Sequence, residues 1–156
     1  MRSLGNLVAA TLLVAVAMPA APVEPQEASQ PPSDDDASIA VGCLRTINTA
    51  EVVYARTYRT GYSPTLAALS VPAEGTQYTA SAAGLIDASL GSGKKNGYIF
   101  TYKPGKPDAQ GQINTYTVTA RPTKQQKGVQ SFFIDQTAVL RWANENRAPT
   151  AKAPAL

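Results

Sequence analysis

The sequence predicts an α+β domain in which one long N-terminal amphipathic helix packs on a three- to four-stranded antiparallel sheet. Three observations carry this. Ala40, Cys43, Leu44, Ile47, Ala50, Tyr54 and Tyr58 recur at spacings of three and four, so they share one helical face. Gly97–Tyr102 and Ile113–Ala120 instead alternate β-formers with polar residues, the period of a half-buried strand. Helical signals also all precede the strand signals, which suits segregated α and β layers.

The helix start is marked by Ser33, three residues before Asp36, in a capping-box-like pair. The run Asp34-Asp35-Asp36 favours the positive end of a helix dipole. Arg45, Thr49, Arg56 and Arg59 fall opposite the apolar stripe, with Val52 the one misfit. Arg56 and Arg59 occupy the last turn, and Gly61 beyond them suits a left-handed C-cap. A helix of roughly 25 residues is about 38 Å long.

Before this helix, Met1 and Arg2 give a short positive start, Leu7–Val16 is almost wholly apolar, and Ala15-Val16-Ala17 presents small residues. That pattern predicts a signal peptide over 1–17; the alternative is an uncleaved membrane anchor over 4–21, short for a span and weakened by Pro19. No cysteine lies near the cleavage point, which argues against a lipid anchor. Residues 18–32 are rich in Pro, Ala, Glu and Gln without apolar periodicity and read as a disordered tether. Residues 146–156 read as a disordered tail. The span 33–145 between them suffices for one domain with a single core.

After the long helix, Ser63-Pro64-Thr65 leads into Leu66–Leu69 as a short helical turn with Pro at its first position. Val71–Ala83 gives no clear period, and Ser81–Leu90 suggests a second short helix closed by Gly91. The connection from Lys103 to Gln112, with two prolines and two glycines, joins the first two strands as a hairpin. Gln130–Ile134 and Ala138–Trp142 flank Asp135-Gln136-Thr137 as a second hairpin, with Asp bonding the backbone ahead of it. Phe132 and Phe133 must point to opposite faces, so one of them meets a second layer or solvent. Trp142 reads as a core contact.

Charge is uneven. Met18–Val41 holds five acids and no bases, whereas Gly42 onwards holds 13 Lys and Arg against 6 Asp and Glu. Lys94-Lys95, Lys103, Lys106, Lys124 and Lys127 lie beside turn residues and read as solvated loop charges. Tyr98-Ile99-Phe100-Thr101-Tyr102-Lys103 mixes aromatics with a base, yet alternating aromatics belong to any half-buried strand. No nucleic-acid motif is present, and no nucleic-acid partner is expected.

Catalytic groupings are scarce, and no catalytic, cofactor-binding or metal-ligating residue is expected. The chain has no histidine, the usual general base and metal ligand near neutral pH. Cys43 falls on the apolar stripe as a small core residue; an intermolecular disulfide is the alternative. Gly91-Ser92-Gly93-Lys94-Lys95 fails as a phosphate loop, because Ala88 stands where the first glycine belongs and Lys95 where Ser or Thr belongs. Asp34-Asp35-Asp36 lacks a shaped loop for a hard cation. Asp87, Asp108 and Asp135 are too scattered to argue a carboxylate pair.

Taken together, CLRTINTAEVVYARTY, GYSPTLAAL, LIDASLGSGKKNGYIFTYKP and SFFIDQTAVLRW resemble the headpiece of type IV pilin-like proteins, including the major pseudopilins of type II secretion. The resemblance covers roughly Ala37–Trp142. It implies a long N-terminal helix on an antiparallel sheet and a role in protein assembly, without cofactor. In that family the helix begins with an apolar half, cleaved after a glycine, that carries a glutamate near its start and builds the fibre core. This chain departs there: it lacks that run, and Pro31-Pro32 forbids one continuous helix from the apolar segment into the domain.

The expectation is therefore an exported, periplasmic or secreted, non-enzymatic module that meets protein partners, among them pilus or secretion components. Membrane attachment, facing the periplasm, follows only if the N-terminal segment is uncleaved. The second function class is a small secreted or periplasmic domain that binds a ligand or surface on a pilin-like scaffold. A hydrolase ranks third, for want of a histidine or a nucleophile motif.

Overall fold

A capping box starts the long helix. In the computed structural model, which describes residues 33–124, 128–144 and 148–156, Ser33 Oγ accepts from Asp36 N at 3.2 Å and Ser33 N donates to Asp36 Oδ2 at 2.7 Å. Helix α1 then runs over Asp34–Tyr58, 25 residues, without interruption. Ala40, Cys43, Leu44, Ile47, Ala50 and Tyr54 are buried as their spacing requires, and Tyr58 packs at the margin of the same core. The helix stops earlier than its glycine suggests. Arg59 is the left-handed cap, with φ 56°, and its amide reaches Ala55 O at 3.1 Å.

Gly61 serves a different need. Its φ is 78°, and a Cβ there would stand 2.3 Å from Ile113 O. The backbone bridges at this point: Ile113 N donates to Thr60 O at 3.2 Å and Tyr62 N to Ile113 O at 2.7 Å. Only a residue without a side chain permits that approach.

Beyond the bridge, a 3-10 turn covers Leu66–Leu69, capped by Thr65 Oγ1 accepting from Ala68 N at 3.1 Å, so Pro64 precedes the cap instead of opening the turn. Helix α2 is confined to Ala88–Gly91 with Asp87 as its cap; the expected helix over Ser81–Leu90 is shortened. Residues before it are drawn into extended backbone pairing instead, with Ala83 N on Ala68 O at 2.8 Å and Leu85 N on Leu69 O at 2.8 Å.

Five strands follow in sequence order, all antiparallel: β1 (Lys94–Lys95), β2 (Tyr98–Pro104), β3 (Tyr116–Pro122), β4 (Gln130–Asp135) and β5 (Arg141–Asn144). The sheet is thus wider than the three or four strands expected, because the Lys94-Lys95 pair joins β2 through Lys94↔Ile99 and Lys95↔Tyr98. Strand β3 starts at Tyr116, since Ile113 is already committed to Gly61. Strand β5 starts at Arg141, after a turn in which Thr137 N meets Asp135 Oδ1 at 2.9 Å and Ala138 takes φ 62°.

One core cluster unites the stripe of α1 with Tyr98, Phe100, Tyr116, Val118, Ala120, Phe132 and Ile134 from the sheet and Leu69, Ile86 and Leu90 from the connections. Each fully buried aliphatic side chain contributes about 1.5–3 kcal/mol over its exposed state. Strand β4 is buried on both faces, Phe132 and Ile134 toward this cluster, Ser131 and Phe133 on the other side, so Phe133 is not exposed.

The expectation of a disordered tail is corrected for residues 148–156. Trp142 N donates to Pro154 O at 3.1 Å, Leu156 N to Leu140 O at 2.9 Å, and Arg141 Nη1 to Ala153 O at 2.7 Å. The chain end therefore covers part of the outer edge of β5, which otherwise presents unpaired backbone groups. The expected signal peptide, anchor and tether lie outside the described residues.

Gly61 and Gly111 separate conformational freedom from close approach. Both have positive φ, but a Cβ on Gly111 meets nothing within 4 Å. Gly111→Ala is expected to cost about 1 kcal/mol from the left-handed backbone alone, and Gly61→Ala about 3 kcal/mol, because the bridge to Ile113 must also open. Urea denaturation of both variants checks the difference.

Candidate functional site

Glu51 is the one buried charged side chain among the described residues. It lies four residues after Ile47 and three before Tyr54, within the apolar stripe, and is fully buried. After the turn at Arg59 and Gly61, the chain returns antiparallel to the helix end and places Ser63, also fully buried, over the carboxylate. Ser63 N donates to Glu51 Oε2 at 2.8 Å, and Ser63 Oγ donates to Oε1 at 2.6 Å. Both oxygens are thus satisfied by one residue.

Strand β2 completes the arrangement: Tyr102 OH donates to Ser63 O at 2.8 Å. Tyr102 stacks on Tyr116 of β3 with centroids 5.8 Å apart, and Tyr62 meets Tyr116 edge-on at 4.8 Å. Asn48, one turn before Glu51, donates through Nδ2 to Tyr116 OH at 2.5 Å. Helix, loop and two strands therefore meet at one polar knot inside an aromatic wall.

The partners of Glu51 in this knot are neutral. Burial pushes its carboxyl above the usual glutamate range, and the Ser63 hydrogen bonds pull it partly back. Burial likewise raises the Tyr102 and Tyr116 phenols, with the nearby Glu51 charge adding to it. Chemically this is a brace. Ser63 Oγ touches a carboxylate, as an activated nucleophile does, but both groups are fully buried.

Other residues marked in the sequence have local duties. Cys43 is buried and free, and burial raises its thiol pKa despite the opposing effect of Lys95. Asp87 Oδ1 accepts from Leu90 N at 2.9 Å while Oδ2 pairs with Lys95 Nζ at 2.6 Å, which holds the Asp87 carboxyl below its usual range. The Gly91–Lys95 segment is a helix end leading into β1, and Gly91 lies against Ser70, 2.4 Å from where a Cβ would stand.

Asp36 belongs to the capping box, and Asp135 to the β4–β5 turn. Asp108 closes the β2–β3 loop by accepting from Gln110 N and Gln112 N at 2.9 Å and from Asn114 Nδ2 at 2.7 Å. The described residues contain no group of three or more His, Cys, Asp or Glu side chains that could hold a metal ion. In β2 the aromatics Tyr98 and Phe100 face the core, and Ile99, Thr101 and Lys103 face out, so no aromatic platform for bases forms on that strand. Trp142 is half-buried against the core.

A groove of about 900 Å³ lies between the first half of α1 and β4, lined by Asp34, Ala37, Val41, Arg45, Val129 and Phe132 among others, with Leu156 at its rim. Its lining mixes apolar side chains with one acid, Asp34, and one base, Arg45.

Sequence reasoning placed neither Glu51 nor Ser63 in a site. The available signal was an acid inside an apolar stripe, which demands a buried partner. No protein-family model, curated protein or solved structure matches the chain at a significant level.

Removal of the brace is expected to be costly. Glu51→Ala leaves Ser63 N without its acceptor and Ser63 Oγ with the weaker contact to Thr65 O at 3.1 Å, and it opens a cavity, for a loss of about 3 kcal/mol in denaturant unfolding. Because the folded carboxyl titrates above its unfolded value, its contribution is full below the ordinary glutamate pKa and is lost as pH rises through the raised folded value. Subtracting the stability of Glu51→Gln from that of the wild type isolates this group. The difference should shrink as pH rises from about 4 toward neutrality.

Proposed function

We propose that this chain is an exported, non-enzymatic module of pilin or pseudopilin type that works through protein contacts as an accessory to a pilus or a type II secretion system. The observation that carries the reading is the arrangement of α1: 25 residues long, one stripe in a core shared with the antiparallel sheet, the other side open to solvent. A helix of this length exceeds the usual 11–12 residues and offers a rigid face for assembly. The sealing of Ser63 and Glu51 fits a scaffold role better than chemistry at that pair.

The apolar half that builds a fibre core in pilins is replaced here by an export signal and a proline-rich tether. This reading therefore takes the protein as a headpiece released from its stalk, associating with secretion or pilus proteins without entering the filament core. The groove of about 900 Å³, lined by both Asp34 and Arg45, favours a second reading, a small secreted or periplasmic domain that binds a ligand or surface on the same scaffold.

Fractionation of the native host with intact-mass determination of the N-terminus tests export. A soluble species lacking residues 1–17 is expected, and a cytoplasmic full-length species would contradict the proposal. Co-purification with pilin-like proteins after cross-linking supports the first function; retention on cell-wall glycan without such partners supports the second.

A further inference from the structure

The solvent side of α1 carries a seam. Ile39, Gly42, Thr46, Thr49 and Val53 follow one another at spacings of three and four, all exposed, on the side away from the core. This is the a/d spacing of a helix that meets another helix. Ile39, Val52 and Val53 are 40%, 39% and 41% exposed, which is unusual for three β-branched aliphatics on one helix. Its hydroxyls are partly masked: Thr46 Oγ1 bonds back to Gly42 O at 3.0 Å, and Thr57 Oγ1 to Val53 O at 2.8 Å. Those hydroxyls are satisfied within the helix, so the seam is more apolar than its composition suggests.

Gly42 gives the sharper argument. Glycine is the poorest helix former after proline, and here it stands in the ninth position of a 25-residue helix. Nothing among the described residues requires it, since a Cβ at Gly42 would meet none of their atoms within 4 Å and its φ is not positive. A missing side chain in the middle of an exposed seam permits close backbone approach by a packing partner.

We propose that this seam pairs with the same seam of a second copy, antiparallel, as a two-fold symmetric helix–helix dimer. Charge selects the occupant and its direction. The helix opens with Asp34-Asp35-Asp36 and closes with Arg56 and Arg59, so reversing a second copy sets each acidic start beside a basic end. The two helix dipoles then oppose favourably. In this register Ile39 lies beside Val53 of the second copy, Gly42 beside its Thr49, and the two Thr46 residues flank the two-fold axis. A shallow groove of about 340 Å³, lined by Thr46, Thr49, Ala50, Val53 and Leu85 with Arg45 at its edge, lies where Ile39 of the second copy inserts. Self-pairing supplies this contact twice. A contact restricted to one helix about 38 Å long is small, under ~1,200 Å² in total, which fits a weak dimer with Kd of about 10–100 μM. The inference concerns self-association and holds under either function proposed above.

Sedimentation velocity on the purified protein, carrying the N-terminus it has in its host, tests it between about 5 and 500 μM. A monomer–dimer equilibrium that weakens on raising salt is expected. Gly42→Ala should raise the melting temperature measured on dilute monomer by about 4 °C, through better helix propensity, yet weaken the dimer at least fivefold. Ile39→Lys should abolish the dimer while leaving monomer stability nearly unchanged. Oxidation of mixed Ile39→Cys and Val53→Cys proteins should give the heterodimer in preference to either homodimer, as the antiparallel register demands. A protein monomeric throughout the range, or a dimer indifferent to both Gly42→Ala and Ile39→Lys, would overturn the proposal. Failure here leaves the export and co-purification outcomes standing, so the two readings are separable.

Discussion

A buried carboxylate with neutral partners fixes how the two halves of this protein meet. Glu51 lies in the apolar stripe of α1, where an unsatisfied charge would cost several kcal/mol. The fold meets that cost locally, by turning the chain at Arg59 and Gly61 so that the amide and hydroxyl of Ser63 arrive together at the two carboxylate oxygens. Once Ser63 is placed, its carbonyl receives Tyr102 OH, and Tyr102, Tyr116 and Tyr62 stack outward from there. The parallel bridge between Gly61 and Ile113 is part of the same constraint, because it sets the entry of the chain into β3. Helix exit, loop and sheet register are thus coupled through one residue.

Much of this was legible in the sequence where the signal is local or periodic. The capping box needs only Ser33 and Asp36, three apart, and the stripe from Ala40 to Tyr54 needs only the helical period. The inward aromatics of β2 follow from alternation. The misses share a cause: each depends on what a distant segment does. Gly61 and Arg59 both adopt positive φ, and nothing local says that the cap falls on the arginine while the glycine is reserved for contact with Ile113. Lys94-Lys95 carries no alternation and becomes a strand through backbone pairing with β2. The tail from 148 to 156 also docks through backbone groups of Pro154 and Leu156, which leave no side-chain pattern to read. Glu51 was visible as an acid in an apolar stripe, but its partner lies 12 residues on, beyond the reach of helical spacing.

The same structure divides α1 into two faces with different physics. The inner face is committed to a core shared with the sheet, so its residues answer to packing density. The outer face has no such obligation among the described residues, yet it carries exposed branched aliphatics and a glycine at a helical cost. Polar groups in the core are tied off, which leaves surfaces, the helix seam and the groove near Arg45, as the places where partners can act. A scaffold whose interior is locked and whose long helix stays partly open suits assembly, the role proposed for it.

The central claim is that the Glu51–Ser63 contact holds the helix exit to the sheet. Hydrogen exchange of the Ser63 amide tests it most directly, because among the described residues that N–H is donated to Glu51 Oε2 alone. Exchange as slow as that of Val118 in the centre of the sheet, accelerated toward loop rates by Glu51→Ala, is the predicted result. A Ser63 amide that exchanges in wild-type protein as fast as those of the exposed Glu74–Thr76 turn would contradict it.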